Sequence, residues 1–190
     1  MTIADLTAKI KSGEVDTVVV AMTDMQGRLT GKRIHGTFFL DEVLKHGTEG
    51  CNYLLAVDVD MNTVDGYEMS SWERGYSDFA LVPDMDTLRM IDWQEGAALV
   101  LADVQWLDHT DVVASPRQIL RKQVKALKDA GMEAMCGTEL EFVVYKDTYE
   151  EAWNKGYKNL IPVNQYNVDY SIMGGSRIEP LLRRIRLAMA

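Results

Sequence analysis

The sequence predicts an α+β protein. Three observations carry that expectation: β-branched runs with period two, short apolar stripes with helical spacing, and glycine or proline punctuation between them. The 190 residues are 47% hydrophobic, enough for a substantial core, so disorder is excluded.

Ile3, Leu6 and Ile10 recur at helical spacing between a polar Thr2 and Gly13, which predicts a short capped helix. Val15 to Thr23 is β-branched, and the polar stretch Asp24-Met25-Gln26-Gly27 turns it into a second extended run from Arg28 to His35, a hairpin. Phe38 to His46, stopped by Gly47, predicts another helix. Strands are then expected at Tyr53–Val59, Asp78–Val82, Leu88–Trp93 and Ala97–Val104. Between them, 62–76 is a polar and aromatic loop without a period, of the length that often carries function.

Ser115 opens the next helix with Pro116 in the first turn, a Ser-x-x-Gln capping box to Gln118, and a stripe of Leu120, Val124 and Leu127 before Gly131. The polar segment Asp103–Ala114 before it is the expected boundary between a first domain, 1–108, and a second, 109–190. At the end, Ile178, Leu181, Leu182, Ile185 and Met189 form a helical stripe that needs a surface to pack on, so self-association is expected.

Charge and motifs exclude several classes. With 29 acidic and 20 basic residues, the net charge of -9 argues against nucleic acid or an anionic membrane as partner. No apolar leader or membrane-length span is present, and the two cysteines, Cys51 and Cys136, are expected as buried free thiols of a cytoplasmic protein. His35, His46 and His109 lack metal-site spacing, and no phosphate-binding loop, dinucleotide fingerprint or nucleophile elbow occurs.

One segment resists a purely structural account. Residues 137–145 read GTELEFVVY, a predicted strand with Glu139 and Glu141 on one face, their Cα atoms about 6.6 Å apart. Two such carboxylates repel unless water or a cation lies between them. A solvated amphipathic strand and a hard-metal site for Mg²⁺ or Mn²⁺ both satisfy that pattern.

Four stretches together resemble the glutamine synthetase family: TDMQGRLTGKRI, SSWERGYSDFALVPDMDTLRMIDW, SPRQIL and GTELEF. The resemblance runs along the whole chain and matches the amino-terminal part of the family pattern. It implies a β-grasp-like first domain, 1–108, and the beginning of a glutamine-synthetase-type catalytic domain over 109–190. It implies an ATP-dependent ligase joining the γ-carboxylate of glutamate to ammonia or an organic amine through a γ-glutamyl phosphate. It also implies Glu139 and Glu141 as ligands of Mg²⁺ or Mn²⁺, and a homo-oligomer with shared active sites.

Asp65-Gly66, seven residues before Trp72, is similar to the family loop whose aspartate binds and deprotonates ammonium; an ordinary Asp-Gly turn has the same wording. Typical glutamine synthetases follow it with a serine pair, whereas Tyr67-Glu68 stands here, closer to the branch that acts on polyamines and other organic amines. Glu68 is thereby a candidate for a second ammonium group, by charge. In NQYNVDYSI, Tyr170 matches the tyrosine lining the amine pocket, with a buried structural tyrosine as the alternative. The family's remaining metal, nucleotide and glutamate residues are not among these 190, so the chain alone is expected to lack turnover. A non-catalytic assembly or regulatory module of the same family is the alternative function.

Overall fold

The computed structural model describes residues 1–166 and 169–190, which form two compact units, Met1–Ala134 and Met135–Ala190. The break in packing therefore falls later than the boundary expected at 108. The helix that follows Ser115 packs with the first unit, because its arginines pair with acids of the sheet.

The first unit is built on a five-stranded mixed sheet in the order β2-β1-β5-β4-β3. Strand β1 (Thr17–Thr23) pairs antiparallel with β2 (Leu29–His35) and parallel with β5 (Ala97–Gln105). Strand β4 (Asp78–Met90) lies antiparallel to β5, and β3 (Thr48–Cys51) antiparallel to β4. The α+β class follows from this sheet and the helices on it.

Alternation along β1 sends Val18, Val20 and Met22 into the core, where they meet Val100 and Val104 of β5 and Phe79 and Leu81 of β4. Helix α1 (Ile3–Ser12) lays the fully buried Leu6 on the same cluster. Its ends are as predicted: Thr2 and Asp5 form a reciprocal capping box, and Gly13 takes the left-handed conformation at φ 79°. Removing the Leu6 side chain to alanine would cost about 2–5 kcal/mol of transfer and cavity energy. In the hairpin, a Cβ at Gly31 would stand 2.0 Å from the Val20 carbonyl oxygen, so only glycine fits there.

The helix expected at Phe38–His46 is a composite of α2 (Gly36–Phe38), a π turn over Phe39–Val43 and α3 (Leu44–His46) that buries Phe39 and Val43. The two strands expected at Asp78–Val82 and Leu88–Trp93 are one strand, with a register shift between Asp84 and Arg89. Thr87 repairs the ladder there: its Oγ1 accepts from the Leu101 N–H at 2.8 Å and donates to the Asp84 carbonyl at 2.7 Å.

The strand expected at Tyr53–Val59 does not form. Asn52–Leu55 is a 3-10 turn, which buries Asn52 and Leu55, three residues apart, on one side where a strand would send them to opposite faces. Helix α4 (Pro116–Asp129) begins where predicted, but its capping box is absent. The Gln118 amide donates to Asp111 at 3.1 Å, leaving the buried Ser115 Oγ without a partner among the described residues. Nor does its apolar stripe reach a core, since Leu120 and Val124 are exposed. Ion pairs hold this helix instead: Arg117 joins both Asp84 and Asp103, and Arg121 joins Asp103.

The second unit has three helices among its described residues: α5 (Tyr149–Asn154), α6 (Ile172–Ser176) and α7 (Glu179–Met189). A capping box between Thr148 and Glu151 starts α5. The preceding Asp147 carboxylate accepts from Lys155 Nζ at 2.5 Å and from the Ile161 N–H at 2.6 Å, closing the 147–161 loop. The strand predicted around GTELEF is not formed, and 134–143 is exposed, Cys136 included. A strand exists only with a ladder partner, and the described residues offer this segment a single bridge, Tyr145 to Pro162. The expectation of buried thiols thus fails for Cys136 and is met halfway by Cys51, which is partly covered.

Candidate functional site

Within the second unit, Glu139, Glu141 and Tyr170 line one open cavity of about 1700 Å³, together with Asp169, Glu179 and Arg186. Both glutamates border this cavity even though the predicted strand is absent. Tyr170 is 96% exposed with a left-handed backbone at φ 55°, which overturns the buried structural tyrosine as an account of it. Asn167 and Val168 of the same motif lie outside the described residues.

Across the cavity Arg186 pairs with Glu179. The hydrogen bond between them holds the Glu179 carboxyl below its ordinary pKa and the Arg186 guanidinium above its own. This cation is therefore engaged within its own helix, whereas Glu139 and Glu141 have no ion-pair partner among the described residues.

Hard oxygen donors of this kind suit Mg²⁺ or Mn²⁺. Among the described residues no group of three or more His, Cys, Asp or Glu side chains converges for a metal ion. Glu139 and Glu141 thus fit a divalent cation in donor type, and two carboxylates would fill only part of its shell.

Asp65 and Glu68 belong to the first unit, on the exposed loop between the 3-10 turn and β4. That loop is tied down at its base by residues of the hairpin turn. Asp24, 1% exposed, accepts at Oδ1 from the Gln26 and Arg28 N–H groups, both at 2.9 Å, and at Oδ2 from Arg28 Nε at 2.7 Å. Arg28 then donates from Nη1 to the Val59 carbonyl at 2.6 Å, and the Gln26 amide donates to the Val57 carbonyl at 3.2 Å. Burial pushes the Asp24 carboxyl up, but the Arg28 hydrogen bonds and charge and the Gln26 N–H outweigh it, so its pKa is lowered overall.

Farther along, the Asp58 carboxylate accepts from the Asn62 side chain and from the backbone N–H groups of Asn62 and Asp60, which lowers its pKa and closes a local turn. Arg74 Nη1 donates to the Glu68 carbonyl at 2.7 Å. The Trp72 ring meets Tyr76 edge-on at 5.4 Å, and Tyr76 meets Tyr53 at 5.9 Å. Among these anchors, the Asp24–Gly27 and Asp58–Asn62 turns are local in sequence, and the cross-links from the hairpin are not. Arg28 and Gln26 reach partners 31 residues away.

The chain belongs to the glutamine synthetase family: residues 113–190 match the glutamine synthetase catalytic domain. Among individual proteins, a γ-glutamylethanolamide synthetase of Streptomyces coelicolor is 61% identical over 188 residues, covering 99% of this chain and 41% of the relative. A glutamate–isopropylamine ligase of a Pseudomonas species is 31% identical, covering 95% of this chain and 39% of its own length. The chain thus spans about two fifths of the length of these relatives. Of solved structures, GmaS without ligand aligns with a TM-score of 0.67 at 14% identity, over 98% of this chain and 39% of that one, a likeness of fold. No helix among the described residues is long and apolar enough to cross a membrane.

Proposed function

We propose that this chain forms the amino-terminal part of an ATP-dependent ligase that joins the γ-carboxylate of glutamate to a small organic amine through a γ-glutamyl phosphate. The observation that carries the proposal is 61% identity, over nearly the whole chain, to an enzyme named for making γ-glutamylethanolamide. Ethanolamine, a short hydroxyalkyl amine, is accordingly the first acceptor to test. The first domain, 1–108, is proposed as a β-grasp domain, in keeping with its parallel β1–β5 pair flanked by antiparallel neighbours. Residues 109–190 begin the catalytic domain, and the enzyme is a homo-oligomer of the cytoplasm whose active sites are shared between subunits.

Each candidate residue has a role suited to its chemistry. Glu139 and Glu141 would hold Mg²⁺ or Mn²⁺. Bound there, the cation supplies charge neutralisation for phosphoryl transfer from ATP. Asp65, exposed on its loop, attracts an ammonium ion and accepts its proton, because a carboxylate favours the cation and is a base for it. Glu68 adds a second negative charge to the same loop, and Tyr170 contributes a ring and a hydroxyl to the amine pocket.

A protein carrying this chain should sustain ADP formation over many turnovers only when ATP, glutamate and amine are all present, since ATP and glutamate alone stop at γ-glutamyl phosphate, and should release γ-glutamylethanolamide by mass. Asp65→Asn should lower kcat about 10²–10⁴-fold, the usual worth of a general base. ADP formation indifferent to every amine offered, or full activity in Asp65→Asn, would overturn the assignment.

A further inference from the structure

Asn52 is a buried polar residue, 1% exposed, in the 3-10 turn that also buries Leu55. Its side-chain amide donates to the Met69 carbonyl at 2.8 Å and to Ser77 Oγ at 3.1 Å, and its backbone N–H donates to the Ser77 carbonyl at 2.9 Å. One residue thereby grips both ends of the segment 70–76, the segment that carries Trp72 and Arg74. The next residue, Tyr53, extends the grip through Tyr76 to Trp72, and Arg74 passes it to the Glu68 carbonyl.

The carbonyl half of the amide does nothing comparable, since Asn52 Oδ1 is buried without a partner among the described residues. An orphaned buried acceptor is destabilising, and a leucine of similar shape would avoid it. What asparagine contributes at this position therefore lies in its two N–H groups.

We propose that Asn52 is a positioning residue that holds the loop from Asp65 to Tyr76 in one conformation, and with it the carboxylates that face the amine. The proposal rests on the amine reading of that loop for its purpose, though not for its mechanics. Asn52 touches no reacting atom; it acts through Met69 and Ser77. When its donors are removed, the Met69 carbonyl loses its partner and the loop exchanges among open conformers, while the sheet keeps its ladders.

Residue-resolved hydrogen exchange of the whole chain tests this in Asn52→Leu. Amides of 65–76 should exchange about ten-fold faster or more, with those of β1 and β5 unchanged. The Trp72 indole resonance, displaced by the Tyr76 ring, should move toward that of free indole, a native-state signature that a general loss of stability does not produce. Equal acceleration in loop and sheet would make Asn52 an ordinary core residue and overturn the proposal; an unmoved loop would do the same. Should Asn52→Leu fail to fold, Ser77→Ala decides, because it removes one acceptor from an exposed residue. A smaller acceleration confined to the loop supports the clamp, and none refutes it. Titration with ethanolamine separates the two readings. If its effect on the Trp72 resonance is the same in Glu68→Gln and wild type, the amine assignment of Glu68 fails, while a loosened loop in Asn52→Leu still stands.

Discussion

Replacing Asp24 tests whether the hairpin turn is held by one buried carboxylate. Asp24→Ala removes acceptors from two backbone N–H groups and from Arg28 Nε. Each backbone bond is worth about 1 kcal/mol, and the charge-assisted one about 1.5 kcal/mol after discounting for an Arg28 side chain 36% exposed to water, so the loss should be about 3.5 kcal/mol. Asp24→Asn keeps Oδ1 for the two backbone donors and turns an N–H toward the guanidinium, so about 1.5 kcal/mol should go. At roughly 4 °C per kcal/mol for a unit of this size, melting should fall by about 14 °C and about 6 °C.

Urea unfolding can be followed at Trp106, which packs on Phe79 at 5.3 Å, with the exposed Trp72, Trp93 and Trp153 changed to phenylalanine. The sign of the pH effect is fixed by the lowered carboxyl. Its stabilisation is present above the unfolded value of 3.8 and is lost as pH falls from there through the folded value, so wild type and Asp24→Ala should converge in strong acid. A cost under about 0.5 kcal/mol at neutral pH, as for an ordinary surface change, would refute the reasoning.

Three further outcomes are expected. Titration with Mn²⁺ should show weak binding to the chain that the Glu139→Ala, Glu141→Ala double variant loses; equal binding would remove both residues from the metal. Arg117→Met, which keeps the stem and strips the guanidinium from Asp84 and Asp103, should destabilise by about 2 kcal/mol and open α4 to protease, whereas an unchanged cleavage pattern would show that those ion pairs do not hold the helix. Light scattering over a concentration series should show self-association that Leu182→Glu with Ile185→Glu reduces, since Leu181, Ile185 and Leu187 of α7 are exposed; a monomer throughout would count against it.

What the sequence disclosed depended on how local each cause is. Thr2, Asp5 and Gly13 lie within one helix, and Asp24 to Gly27 within one turn, so α1 and the hairpin were legible. The Ser115–Gln118 box was misleading because Gln118 has a better partner in Asp111, seven residues back. The Tyr53 run has the composition of a strand, yet a 3-10 turn buries Asn52 and Leu55 together, and short apolar runs do not distinguish the two. GTELEF carries the period of a strand, but pairing is a property of two segments. Of the candidate site, Glu139 and Glu141 stood out because carboxylates are out of place in an apolar run. Asn52 was silent: its side-chain partners are 17 and 25 residues away, and an asparagine before a tyrosine has no signature.

The parallel pair at the middle of the sheet also sets a timetable. Thr17 lies opposite Ala97 and Ala21 opposite Leu101, so β1 cannot take its interior place until most of the unit has been synthesised. At about 5–20 residues per second, a ribosome leaves β1 waiting on the order of 4–16 s for β5. Through that interval the first hairpin has a valine-rich strand with one bare edge, the form in which a nascent chain is most open to pairing with another. Final assembly is then a late, long-range closure, and slow folding is its natural result. Changes that leave the finished sheet untouched but delay β5 would be felt as lost yield rather than lost stability.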